Sequence, residues 1–182
     1  GYSVLVSQSN ERWEEEKNIV KTMLAKKIDG LAISLASETT DYKHFDAVIS
    51  RGVPVVFFDR VPLDKRSSCV RIDNRTAAYN AVMHLIKQGC TRIVHLSGPQ
   101  AISVYKDRQD GYVQALMDSD IRVDSSLIFE NSITLATGEE AGKKILAMPV
   151  LPDAIFSAGD YSAMGVMHVL KKNGVKSGKR SR

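Results

Sequence analysis

Short apolar, β-branched runs alternate along the chain with longer stretches in which apolar residues recur every three or four positions. The runs lie at 2–6, 31–35, 53–58, 70–72, 93–96, 127–129 and 154–156. Several are apolar at nearly every position, the pattern of parallel strands covered on both faces. The longer stretches read as amphipathic helices over about 11–27, 40–50, 74–88, 105–119, 137–147 and 160–173. In the first, Trp13, Ile19, Val20, Met23 and Leu24 share a stripe, and in the third Ala77, Ala81, Val82, Leu85 and Ile86 point inward. Gly52, Gly89 and Gly174 stand where a left-handed residue ends a helix, and Pro54 and Pro149 block continuation. Strand–helix alternation on this scale predicts βαβ units and an α/β fold with doubly wound parallel sheets. The polar interval 59–68 is the natural place for a change of lobe.

Length and composition fit a soluble α/β protein. The chain has 182 residues, of which 43% are hydrophobic and 25% charged, so disorder is not expected. No apolar run approaches the roughly 18 residues of a membrane span, and no signal-peptide pattern is visible. Of the +4 net charge, all resides in the last seven residues. Removing Lys176, Lys179, Arg180 and Arg182 from 25 basic residues leaves 21 against 21 acidic ones. The body therefore offers no basic face for nucleic acid. Cys69 and Cys90 form no CxxC pattern and read as reduced thiols. The four histidines are scattered, so no metal site is expected. No GxSxG elbow, GxxxxGK[ST] loop or GxGxxG fingerprint occurs, and no Ser/His/Asp set can be named, so neither catalysis nor a cofactor is expected.

What remains is a group of polar residues at the carboxyl ends of the expected strands, the edge where open α/β sheets bind ligands. These are Asp59, Asp73, Asp160 and, beyond the SGP turn 97–99, Arg108. Each has a plainer reading. Asp73 and Asp160 suit helix N-caps as well as ligand contacts. Asp59 suits a turn toward Pro62, and Arg108 suits a surface pair with Asp107 or Asp110.

Several segments, in order, resemble the LacI/GalR family of bacterial transcription regulators. HLIKQGCTRIVHLSGP (84–99) resembles HLxxxGHxxIxxLxGP, with Cys90 where His is usual. RQDGYVQAL (108–116) resembles RxxGYxxAL, IDGLAI (28–33) resembles VDGLII, and PVVFFDR (54–60) resembles PVVxxDR. VRIDN (70–74) resembles VxxDN, and PDAIFSAGD (152–160) with AMG (163–165) resembles PDAIFxxNDxxAxG, Gly159 replacing the commoner Asn. The resemblance implies two periplasmic-binding-protein-like lobes, 1–72 and 73–174, followed by a basic tail, 175–182. It implies a small polar effector, such as a sugar, between the lobes. Effector contacts would then fall on Asp73, on Ile102 and Val104, on Arg108 and on Ile133, with Asp160 and Asp59 as further candidates. The ring that relatives carry at position 133 is replaced by isoleucine.

The same resemblance implies a cytoplasmic repressor, homodimeric as a whole protein, that reads operator DNA through a helix-turn-helix not contained in this sequence. The core's first strand and helix, and the continuation after Gly174, are likewise not contained, so the fold is expected to be incomplete at both ends. The alternative on the same fold is a periplasmic sugar-binding protein serving a transporter.

Overall fold

The structure, a computed structural model, describes residues 1–62 and 67–175. The chain divides into two compact units, Gly1–Ile72 and Asp73–Arg182. Most of the basic tail, 176–182, lies outside the described residues.

In the first unit, α1 (Trp13–Ala25) precedes β1 (Leu31–Ile33), and a 3-10 turn (Lys43–Phe45) runs into α2 (Asp46–Ser50), followed by β2 (Val55–Phe58) and β3 (Ser68–Val70). The three strands form a parallel sheet in the order β1-β2-β3, with Leu31 opposite Val55 and Phe58 opposite Val70. Val20, Phe45, Val48, Val55 and Phe57 make the core on one sheet face, with Phe45 and Phe57 packed edge to face at 5.1 Å. The other face is open, contrary to the doubly covered strands expected. Val56 and Phe58 alternate outward, β3 is exposed throughout, and Ile72 beyond it is 63% exposed.

The apolar run 2–6 forms no strand. Tyr2 and Val6 are 91% and 87% exposed. Alternating β-branched residues favour an extended backbone, but a strand exists only when a neighbour takes its hydrogen bonds. The first helix buries Glu16, Val20 and Met23. Glu16 was not foreseen inside. Its carboxylate accepts hydrogen bonds from Ala36 N (2.6 Å) and Thr39 Oγ1 (2.9 Å), and its Oε1 lies 2.8 Å from His44 Nε2. A buried carboxylate is tolerated when its lone pairs are answered in this way.

In the second unit, α3 (Asn74–Lys87), β4 (Ile93–Leu96), α4 (Ser103–Met117), β5 (Ile128–Phe129), α5 (Leu135–Leu146), β6 (Ala154–Ser157) and α6 (Asp160–Lys172) follow in turn. The parallel sheet has the order β5-β4-β6. Central β4 is buried at every position, as a strand covered on both faces should be. One cluster joins Val94 and Leu96 to α5 and α6, and another joins Ile93 to α3 and α4. Ala77 and Ala81 are exposed; Ala78 and Val82 are the buried apolar residues of α3, and Leu85 and Ile86 pack inward as expected. Tyr112 Oη donates to Ile93 O at 2.8 Å, fixing α4 on β4.

Helices α5 and α6 touch through glycines. A Cβ on Gly138 would lie 2.3 Å from Ser162 O, and one on Gly165 would lie 2.3 Å from Leu135 O. Only glycine permits an approach that close.

Candidate functional site

In a parallel sheet all carboxyl ends lie on one edge, and in the second unit the turns leaving that edge are stitched together. Ser97 N donates to Phe129 O (2.9 Å), Ser132 N to Ser97 O (2.8 Å) and Ala158 N to Leu96 O (2.8 Å). Gln100 Nε2 closes the turn after β4 on Ser97 Oγ and Gly98 O, both at 2.9 Å. Ser132 and Ser162 hydroxyls meet at 3.0 Å, both buried. The result is a rigid platform of backbone and small polar groups.

Arg108 joins this platform from α4. It lies in the second turn of the helix. Its Nε donates to Asn74 Oδ1 at 2.9 Å, and its Nη1 donates to Ala158 O. Asn74 is the first residue of α3 and 3% exposed; Ala158 closes β6 and is 2% exposed. The surface ion pair that was the plainer reading does not form, because Asp110 pairs with Lys106 at 2.9 Å instead. Both anchors of Arg108 are neutral, and among the described residues no salt bridge to a carboxylate involves it. Of the five N–H donors of a guanidinium, two are used among the described residues.

The aspartates divide. Asp73 caps α3, accepting from Thr76 N at 3.0 Å and Thr76 Oγ1 at 2.8 Å. Asp160 is exposed and is the first helical residue of α6. The cap there is Gly159, with no side-chain bond. Arg108 thus binds the chain neighbour of Asp73 and a carbonyl two residues before Asp160. Ile102, the residue preceding α4, and Val104 are buried, and Ile133 is half-buried. In the first unit Asp59 follows β2, exposed and left-handed at φ 56°, with its N–H on Val70 O at 3.1 Å. Next to it, Arg60 Nη2 pairs with Glu11 Oε1 at 2.8 Å. Burial raises the Glu11 pKa, but Arg60 and the Ser37 amide outweigh it, leaving the carboxyl below its usual range.

Sequence reasoning missed Asn74. It stands in the VRIDN match, but beside a capping aspartate nothing there points to Arg108, whose contact with it is 34 residues away in the chain. Beneath the platform, His95 stacks against both Tyr112 and Phe156, at 5.0 and 4.9 Å, and those two rings are 6.5 Å apart. Its Nδ1–H donates to Phe156 O at 3.1 Å, and burial holds its pKa down at about 4, so it is a neutral core group. At the opposite edge of the sheet, a concavity of about 420 Å³ is lined by Thr91, Arg92, Arg122 and Asp124. Its lining carries two arginines against one aspartate, with Arg92 Nη1 at 3.8 Å from Asp124 Oδ2. Among the described residues there is no metal-ligating cluster, and no helix is long and apolar enough to cross a membrane.

Residues 1–181 match the family described as periplasmic binding proteins and sugar binding domain of the LacI family. The chain is 33% identical over 179 residues to the HTH-type transcriptional repressor CytR of Escherichia coli, covering 97% of this chain and 51% of the relative. It is 31% identical over 175 residues to catabolite control protein A of Priestia megaterium, covering 96% and 52%. Among solved structures it resembles the transcription regulator CcpA of Lactococcus lactis, with a TM-score of 0.82, 26% identity, and 93% and 61% of the two chains covered. The chain therefore spans about half the length of the curated relatives it matches.

Proposed function

We propose, from the premise that this chain belongs to the family of periplasmic binding proteins and LacI-type sugar-binding domains, that it is the effector-sensing part of a cytoplasmic transcription repressor. A small polar effector, a sugar or sugar derivative, is held in part by Arg108. The observation that carries this reading is the state of Arg108, a half-buried guanidinium anchored by two neutral acceptors on the carboxyl-end platform. A planar fork with donors to spare suits vicinal hydroxyls, a carboxylate or a phosphate. Asp73 and Asp160 supply acceptors for ligand hydroxyls, and Ile102, Val104 and Ile133 supply apolar contact. The whole protein acts as a homodimer and reads operator DNA through a helix-turn-helix outside this chain. The relative named as a transcriptional repressor and the structure named as a transcription regulator favour this reading over a periplasmic carrier, and none of the three reported above is named as an enzyme.

The test is calorimetry on the full-length protein with a panel that includes D-ribose, fructose 1-phosphate and adenine. Arg108→Ala is expected to weaken binding by one to two decades, the cost of a lost charge-assisted bond of about 1.5–3 kcal/mol. Wild-type affinity in Arg108→Ala and Arg108→Lys would sink the assignment.

A further inference from the structure

We infer that Asn74 is the positioning residue behind Arg108: it fixes the guanidinium plane so that the Nη1/Nη2 edge faces the ligand. This rests on the ligand role proposed for Arg108. Asn74 is 3% exposed, although it is the first residue of α3. Its place there is not explained by capping, because Asp73 already caps the helix. A buried amide oxygen must be hydrogen-bonded to be tolerated, and this one accepts from Arg108 Nε at 2.9 Å.

The second anchor, Ala158 O, takes an Nη1 proton from another element. Two bonds to acceptors on α3 and at the end of β6 define the plane and rotation of the guanidinium. Nε is consumed by Asn74, so the side-on edge that pairs Nε with Nη2 is closed to a ligand. Nη1 keeps one N–H beside the one given to Ala158 O and Nη2 keeps two among the described residues, donors that suit adjacent oxygens of a diol, carboxylate or phosphate. The chemistry of the anchor matters as well as its reach. An aspartate at 74 would also accept from Nε, but it would form an ion pair and cancel the charge offered to ligand oxygens. An amide oxygen orients the arginine and leaves that charge intact.

The test is read first in the unliganded full-length protein, through the 15N–1H resonance of Arg108 Nε, assigned by its loss in Arg108→Lys. In wild type its Nε–H is expected to exchange with water about ten-fold or more slowly than that of solvated arginines, as a buried hydrogen-bonded proton does. Asn74→Leu is expected to abolish that protection, and Asn74→Asp to restore it. If leucine at 74 prevents folding, Asn74→Ala makes the same comparison. Affinity for the panel should fall about 2- to 12-fold in Asn74→Leu, because the arginine must then be ordered on binding. Equal Nε protection in wild type and Asn74→Leu would overturn the inference. Unchanged affinity in Arg108→Ala, with the Arg108 Nε–H protected in wild type and exposed in Asn74→Leu, would instead overturn the ligand reading on which it rests.

Discussion

Replacing His95 by phenylalanine should flatten the stability of the second unit against acid. The imidazole stacks against both Tyr112 and Phe156, gives its Nδ1 proton to Phe156 O, and has a buried Nε2 with no partner among the described residues. Protonation would place a second N–H on that Nε2, where nothing accepts it. Burial accordingly lowers the pKa from 6.5 to about 4, the Phe156 bond opposing only in part. The folded pKa lies below the unfolded one, so the unfolded chain binds the proton first. Stability is therefore complete above pH 6.5 and is lost as pH falls from 6.5 toward 4. At 1.36 kcal/mol per pKa unit the loss saturates near 3 kcal/mol below pH 4 and is about 2 kcal/mol at pH 5.

Urea unfolding of wild type and His95→Phe, followed by circular dichroism at pH 7 and pH 5, isolates this contribution, because other titrating groups cancel in the double difference. At pH 7 the variant should lie within about 1 kcal/mol of wild type, the worth of one exchanged hydrogen bond. By pH 5 it should have gained about 2 kcal/mol relative to wild type. Equal acid sensitivity in the two proteins would mean that His95 takes up its proton without cost, and that the burial argument is wrong.

Gly165→Ala should destabilise the α5–α6 pair by about 1–3 kcal/mol in thermal unfolding. The gain in helix propensity, about 1 kcal/mol, is outweighed by a Cβ placed 2.3 Å from Leu135 O. Glu16→Ala should cost about 3 kcal/mol or more in urea unfolding, because Ala36 N, Thr39 Oγ1 and His44 Nε2 lose their shared partner. A polypeptide limited to residues 1–182 should self-associate in analytical ultracentrifugation, given Tyr2, Val4, Val6, Phe58, Val70 and Ile72 on its surface. Charges introduced at Phe58 and Val70 should shift it toward monomer.

The helices were legible because each must bury one stripe, and the stripe is written at a spacing of three to four residues. Their ends were less so, because capping is local chemistry. The fifth helix begins at Leu135, two residues before the expected start, since Thr134 and Thr137 cap each other reciprocally without the usual acidic partner. The expected helix over 40–50 breaks because Asp41 Oδ1 takes the Lys43 amide at 3.0 Å and starts a 3-10 turn instead. Strands depend on partners that sequence does not display. The run 93–96 became a strand because β5 and β6 flank it. The run 2–6 is similarly apolar but has no strand beside it, and it stays exposed. The third strand formed at Ser68–Val70, not 70–72, because its register is set by Phe58 opposite Val70 rather than by its own apolar residues.

The candidate site shows the same division between local pattern and tertiary partnership. Arg108 was visible as a cation in a recurring motif, but sequence could not choose between a surface ion pair and a held guanidinium. The choice turns on which acceptors lie within reach. Asp110, on the same helix and close in the chain, is taken by Lys106. Asn74 and Ala158, 34 and 50 residues away, are the partners. Asp73 reads as a cap from sequence and is one in the structure, yet its importance to the site passes through the residue beside it. A cap fixes where a helix starts, and the helix start fixes where Asn74 points. The local rule that seemed to compete with a functional reading of this segment is thus the means by which α3 delivers an amide oxygen to Arg108.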